Sequence, residues 1–230
     1  MKILRQIALF LSLAAMAVGG GCAETKQAKN VQPSGFLGDY SLLRPGKGDE
    51  ALLRYRNPAA DIKKYRKIMI VPVRIFQPKG ASEAQKADLQ KLAGNFNVYL
   101  TRELEKDYQI VQTPGPDTMK IESAITGAEK SGRGMDLVSS ALPIGMVLSA
   151  GKDFATGKPT GVGEISMEMR VTDAATGELL GEAVDRRVGG KNPSGMFDAW
   201  NDANQAMQYW AKQLAYVLCR ERGSGGCVKP

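Results

Sequence analysis

Two stretches of this chain alternate apolar and polar residues with a period of two. Met119, Ile121, Ser123 and Ile125 alternate with Lys120, Glu122, Ala124 and Thr126, and Ile165, Met167, Met169 and Val171 alternate with Glu164, Ser166, Glu168 and Arg170. That period belongs to β-strands, whose successive side chains point to opposite faces, so the chain is committed to a sheet with one buried face. A turn at Asp173 to Gly177 leads into a hairpin partner from Glu178 to Val188. The run from Lys67 to Val73 predicts a buried strand that Pro72 ends or confines to an edge, and Tyr108 to Val111 predicts another before the turn at Pro114 to Asp117. Between these two lies a helix. Ser82 with Gln85 three residues on fits a capping box, and Leu89, Leu92, Phe96, Leu100 and Leu104 recur on one face. A second helix is predicted from about Met196 to Cys219, with Phe197, Trp200, Met207, Trp210, Ala211, Leu214 and Leu218 on or near one stripe. The expected fold is a single α/β (α+β) domain: a mixed β-sheet with helices packed on one face and an extended N-terminal arm.

The N-terminus fixes the compartment. Lys2 and Arg5 precede an apolar run from Ile7 to Val18, followed by Gly19, Gly20, Gly21 and Cys22, which is the pattern of a secretory signal peptide. The run falls short of the ~20 apolar residues that a spanning helix needs. A cysteine directly after the small residues resembles the lipobox of bacterial lipoproteins, with Gly19 standing where leucine is usual. In that reading Cys22 is the lipidation site and the mature N-terminus; the alternative is an ordinary cleaved signal with an incidental cysteine. By resemblance to the sorting rule of such proteins, Ala23 after the cysteine directs the anchor to the outer membrane, periplasmic side, where several acyl chains would hold it permanently. Export also governs the other two cysteines. Cys219 and Cys227 bracket a turn-rich stretch and are expected to form a disulfide in an oxidising compartment.

The organisation read from this pattern is a signal peptide over 1–21, a lipidated flexible tether over 22–34, an N-terminal arm over 35–66, the α/β domain over 67–219 and a disulfide-closed tail over 220–230. In the arm, Phe36, Leu37, Tyr40, Leu42 and Leu43 return among turn-forming residues and are expected to dock on the domain rather than to bind a ligand. Phe36 to Leu43, followed by Tyr55-Arg56-Asn57-Pro58, Asp61, Tyr65 and Ile70-Val71-Pro72-Val73, resembles a family of bacterial lipoproteins catalogued only as a domain of unknown function. The resemblance extends over most of the mature chain and implies no activity, cofactor or catalytic residue.

The sequence holds no histidine, which excludes Ser-His-Asp and Cys-His catalysis, His-ligated zinc and imidazole proton shuttling. Gly151 to Lys158 imitates a phosphate loop, but five residues separate Gly151 from Gly157 and Pro159 replaces the magnesium-binding hydroxyl. Ser149-Ala150-Gly151-Lys152 matches a Ser-x-x-Lys motif without its distant Lys-Thr-Gly partner. Glu164 and Glu168 lie about 13 Å apart along one strand face, too far for a glycosidase pair, and read as a solvated face. The mostly apolar stretch from Met135 to Ala150 reads as a broken core helix and as the best place for a pocket.

No catalytic residue, metal ligand or cofactor is expected. The remaining hint is charge. Without Lys2 and Arg5, 29 basic residues face 24 acidic ones, and Arg54, Arg56, Lys63, Lys64, Arg66 and Lys67 surround Tyr55 and Tyr65 with only Asp61 opposing in sequence. Nucleic acid is no partner for an exported protein. The cluster is a candidate surface for anionic lipid or peptidoglycan, and its plain alternative is a solvated segment. The function read from sequence is a non-catalytic binding or scaffold module. An accessory subunit docking on another envelope protein is the alternative, and a small-molecule-binding or hydrolytic protein comes third.

Overall fold

The two alternating stretches become the centre of the sheet. In the computed structural model, which describes residues 25–76, 82–129, 163–189 and 200–230, strands β1 (Lys26–Gln27), β2 (Arg44–Pro45), β3 (Leu53–Arg56), β4 (Lys67–Ile70), β5 (Arg74–Ile75), β6 (Gln109–Val111), β7 (Thr118–Glu129), β8 (Glu164–Asp173) and β9 (Leu179–Val188) join in one sheet. Its order is β2-β3-β9-β8-β7-β4-β6, with β1 added to β9 and β5 to β7. The β4, β5 and β6 pairings are parallel and the rest antiparallel, so the sheet is mixed. Strand β4 stops at Ile70, ahead of Pro72, whose missing N–H ends the ladder.

Helix α1 (Glu83–Leu104) begins where the capping box predicts: the Ser82 hydroxyl accepts from the Gln85 amide, and the Gln85 side chain accepts from the Ser82 amide. Its buried stripe of Leu89, Leu92, Phe96, Leu100 and Leu104 is the predicted one. Helix α2 (Asn201–Arg222) runs in the same direction, with Asn95 bonded to Asn204 near one end and Arg222 to Asp107 at the other. Both helices cover the face that carries Met119, Ile121, Ile125, Ile165, Met167 and Met169, and the main core cluster lies between them and the sheet. Among the described residues no helix is long and apolar enough to cross a membrane.

Two boundaries and the burial of one tryptophan differ from expectation. Helix α2 continues to Arg222 and ends at Gly223, whose φ of 71° closes the helix in the left-handed region, so the tail begins three residues later than expected. Of the two tryptophans on the expected stripe, Trp210 is buried while Trp200 is half-buried at the helix start; Phe197 lies outside the described residues. The tether is also shorter. From Thr25 onward the chain lies on the sheet, with β1 paired to β9 and the Ala28 amide donating to the Arg186 carbonyl at 2.8 Å. The polar composition that suggested a free linker is that of a strand whose side chains meet a polar edge.

Cys219 and Cys227 form the disulfide. A loop this short contributes about 2.5 kcal/mol through the unfolded state, a clamp on the tail rather than the main support of the fold.

Candidate functional site

The helices leave one part of the sheet face uncovered. Helix α2 packs over β8 and β9, and beyond it towards β3 no third helix follows among the described residues. The result is a groove of about 530 Å³ between α2, β9 and β3, closed at one rim by the loop from Lys47 to Ala51. Its walls combine Ala183, Leu214 and Val217 with Tyr209 and Tyr216, and Arg54, Arg56, Arg220 and Glu221 stand around it.

The register explains the lining. Arg54 pairs with Ala183 and Arg56 with Gly181, placing both arginines on the helix side of the sheet, whereas Leu53 and Tyr55 alternate to the other face. Each arginine then finds a carboxylate. Arg54 Nε lies 2.6 Å from Glu50, and Arg56 reaches across to Glu221 on α2. Lys229 in the tail pairs with Asp49 on the opposite rim. The groove therefore carries both signs of charge in balance.

Its floor is a buried network. Asp185, 1% exposed, accepts from Trp210 Nε1 at 2.7 Å, Gln27 Nε2 at 2.8 Å and the Leu52 amide at 3.1 Å. Burial raises the Asp185 carboxyl above the usual range, and these donors, with Arg187 nearby, oppose that shift. A perturbed carboxyl in a groove suggests chemistry, but here its lone pairs are committed to three structural donors. Arg187 lies 3.6 Å over the Tyr209 ring and donates to the Thr25 hydroxyl and carbonyl. The network thus joins β1, the rim loop, β9 and α2. Among the described residues no group of three metal-ligating side chains occurs.

The basic cluster read from sequence is not brought together as one free patch. Besides the two arginines of the groove, Lys64 pairs with Asp173 at 3.3 Å and Lys67 with Asp117 at 3.0 Å. Arg66 donates to the carbonyls of Lys63 and Tyr65, and Lys63 remains exposed. Asp61, the one acid close by in sequence, instead caps the short 3-10 turn Ile62–Lys64. Asp173 is the strongest of the new partners. Burial acts against its charge, but the amides of Thr176 and Ala175, the Tyr65 hydroxyl and Lys64 hold its carboxyl well below the usual range. Burial, then the bond to Asp173, pushes the Tyr65 hydroxyl up to about 12.

The opposite face of the sheet, read as solvated, is covered by the arm. Leu37 and Leu43 pack on Val184, with Phe36, Tyr40, Leu53 and Tyr55 around them, as the docking expectation required. Glu168 is fully buried beneath them, and the solvated reading fails for it. Its carboxylate accepts from the Ser34 amide at 2.5 Å, the Leu37 amide at 3.3 Å and the Tyr40 hydroxyl at 2.7 Å. Burial and this carboxylate push the Tyr40 hydroxyl up to about 12. Glu164 is half-buried and paired with Arg186 at 2.6 Å. The aromatic and leucine motif of the arm is thus structural.

Cys22, the stretch from Met135 to Ala150 and the two motif imitations between Ser149 and Gly161 lie outside the described residues. Sequence reasoning missed the groove and the Asp185 network. The available signal was Asp185 itself, a carboxylate on the buried parity of a strand between Val184 and Arg186.

A family model described as protein of unknown function (DUF3313) matches residues 32–214. The chain is 29% identical over 175 residues to an uncharacterized lipoprotein, YdcL, of Escherichia coli strain K12, covering 74% of this chain and 76% of that protein. Among solved structures it is similar to the dodecameric PelC of Paraburkholderia phytofirmans, with a TM-score of 0.40 and 9% identity over 74% of this chain and 95% of that one. It is also similar to protein XCC0632 of Xanthomonas campestris, with a TM-score of 0.41 and 10% identity over 73% and 91% of the two chains.

Proposed function

The chain belongs to the DUF3313 family, and from that premise we propose that it is a non-catalytic envelope lipoprotein, anchored to the periplasmic face of the outer membrane through Cys22, whose groove docks a segment of another envelope protein. The observation that carries the docking reading is the chemistry of the groove: tyrosines and arginines beside an apolar wall, with Arg54, Arg56 and Lys229 already matched by carboxylates. Tyrosine and arginine are the residues enriched where proteins bind one another. An anionic polymer or lipid, by contrast, is held by unmatched positive charge, and four of the six cations of the basic cluster are paired within the chain. A protein segment therefore fits the groove better than peptidoglycan or anionic lipid does.

Two measurements test this. A photo-crosslinking residue at Val217, an exposed apolar position on the groove wall, should trap a discrete protein adduct in intact cells, and one at Val98, exposed on α1, should not. The adduct should form equally well in high salt. Adducts to peptidoglycan alone, or the same products from both positions, would discard the docking reading. Separately, Cys22→Ser should remove the mature protein from the outer-membrane fraction, because the acyl chains supply the anchorage. Unchanged fractionation would discard the anchor.

A further inference from the structure

The same anchor fixes which end of the domain meets the bilayer. Thr25 is 3% exposed and is held by buried Arg187 through both its hydroxyl and its carbonyl. Directly after it, Lys26 and Gln27 pair with Val188 and Arg187 of β9. Displacing this start of the chain would strip a buried guanidinium of its acceptors, which is costly. Only Ala23 and Glu24 separate Thr25 from Cys22. Three residue steps span at most about 11 Å of extended chain. A lipidated Cys22 therefore cannot lie farther than that from Thr25, and no long tether carries the domain away from the membrane.

Thr25 marks one end of the strands. There β1 meets the last residues of β9, and Val188 of β9 pairs with Glu164, the first residue of β8. Strand β8 then runs ten residues to Asp173, so the turn after it stands about 30 Å away. Lys26 and Lys29 are exposed at the anchored end, and cations are drawn to an anionic lipid surface. Helix α2 runs from this end, where Asp202 accepts from the Gly163 amide, towards the far end, where Arg56 meets Glu221.

We infer that the domain stands on the lipid surface on its β1–β9 end, with Lys26 and Lys29 at the headgroups and the Asp173 to Gly177 turn and the Cys219–Cys227 bridge directed into the periplasm. This rests on Cys22 being the lipidated residue. It adds an orientation: the groove, running along α2 from Asp185 towards Arg220, rises from the membrane and opens to partners beside or above it.

The test uses the acylated protein in vesicles of phosphatidylethanolamine and phosphatidylglycerol, with a fluorophore attached through Lys29→Cys or Ala175→Cys, both exposed positions. Lipids carrying a nitroxide on the headgroup act as a short-range quencher. The probe at position 29 should lose most of its emission, and the probe at position 175 should keep the intensity it has in nitroxide-free vesicles. Lengthening the link between Ala23 and Glu24 by about ten Gly and Ser residues should relieve the quenching at position 29, because such a linker is flexible. Equal quenching at both positions, or none at either while the vesicles retain the protein, overturns the orientation and leaves the anchor standing. Vesicle retention of Cys22→Ser as complete as that of the wild type would overturn the anchor itself, and the orientation with it.

Discussion

Trp210→Ala is expected to lower the unfolding free energy by about 3–5 kcal/mol, the range for removing a large buried aromatic side chain. Trp210 is 3% exposed, and its ring lies 6.0 Å from that of Phe96, so its loss opens a cavity where the two helices meet. It also removes a donor from Asp185, whose carboxylate is buried and would keep only Gln27 and Leu52. Both losses act in the same direction. Since domains of this kind are stable by ~5–15 kcal/mol, such a loss is a large share of the total. Urea unfolding should show the midpoint falling with little change in slope. Trp210→Phe, which keeps most of the packing and loses the bond, should cost less, about 1–3 kcal/mol. A loss near zero in the alanine variant would mean that the indole is not part of the core.

Glu168→Ala is expected to release the arm. Two backbone amides and the Tyr40 hydroxyl converge on this one carboxylate, and leaving buried donors unpaired costs ~1–3 kcal/mol each when water cannot reach them. Because the arm can lift and hydrate the freed groups, the expected loss is about 3 kcal/mol rather than the full sum. The signature is local. Limited proteolysis should cut between Ser34 and Leu43 in the variant while the fragment containing the two helices stays resistant, since local opening requires only the loss of the arm's contacts. An unchanged digestion pattern would show that Leu37 and Leu43 hold the arm without the carboxylate. Arg170, which pairs with Glu182 at 2.8 Å and donates to the Leu37 carbonyl, offers a second point of attachment that remains in the variant.

Much of the fold is legible residue by residue. The capping box at Ser82, the leucine stripe of α1, the turn at Asp173 to Gly177 and the docking of Leu37 and Leu43 all depend on neighbours within a few positions or on apolar area seeking cover. The Cys219 to Cys227 bridge is legible for the same reason, since its partners are eight residues apart. The basic cluster was misleading because its partners are distant: Glu221 lies more than 160 positions from Arg56, and Asp173 more than 100 from Lys64. Charge counted along a chain leaves out such pairs.

The set of elements and the face of each that turns inward follow from local pattern alone, because the periods of two and of about 3.6 are local properties of the backbone. What covers the other face of the sheet emerges only once distant segments have packed together. A strand pattern distinguishes two faces but does not say whether the polar one meets water, and here the arm converts Glu168 from a surface acid into a buried anchor. The groove arose in the same way. Among the described residues two helices cover a sheet seven strands wide and leave β3 and part of β9 bare, and the number of elements available to cover a sheet is not encoded in any single segment.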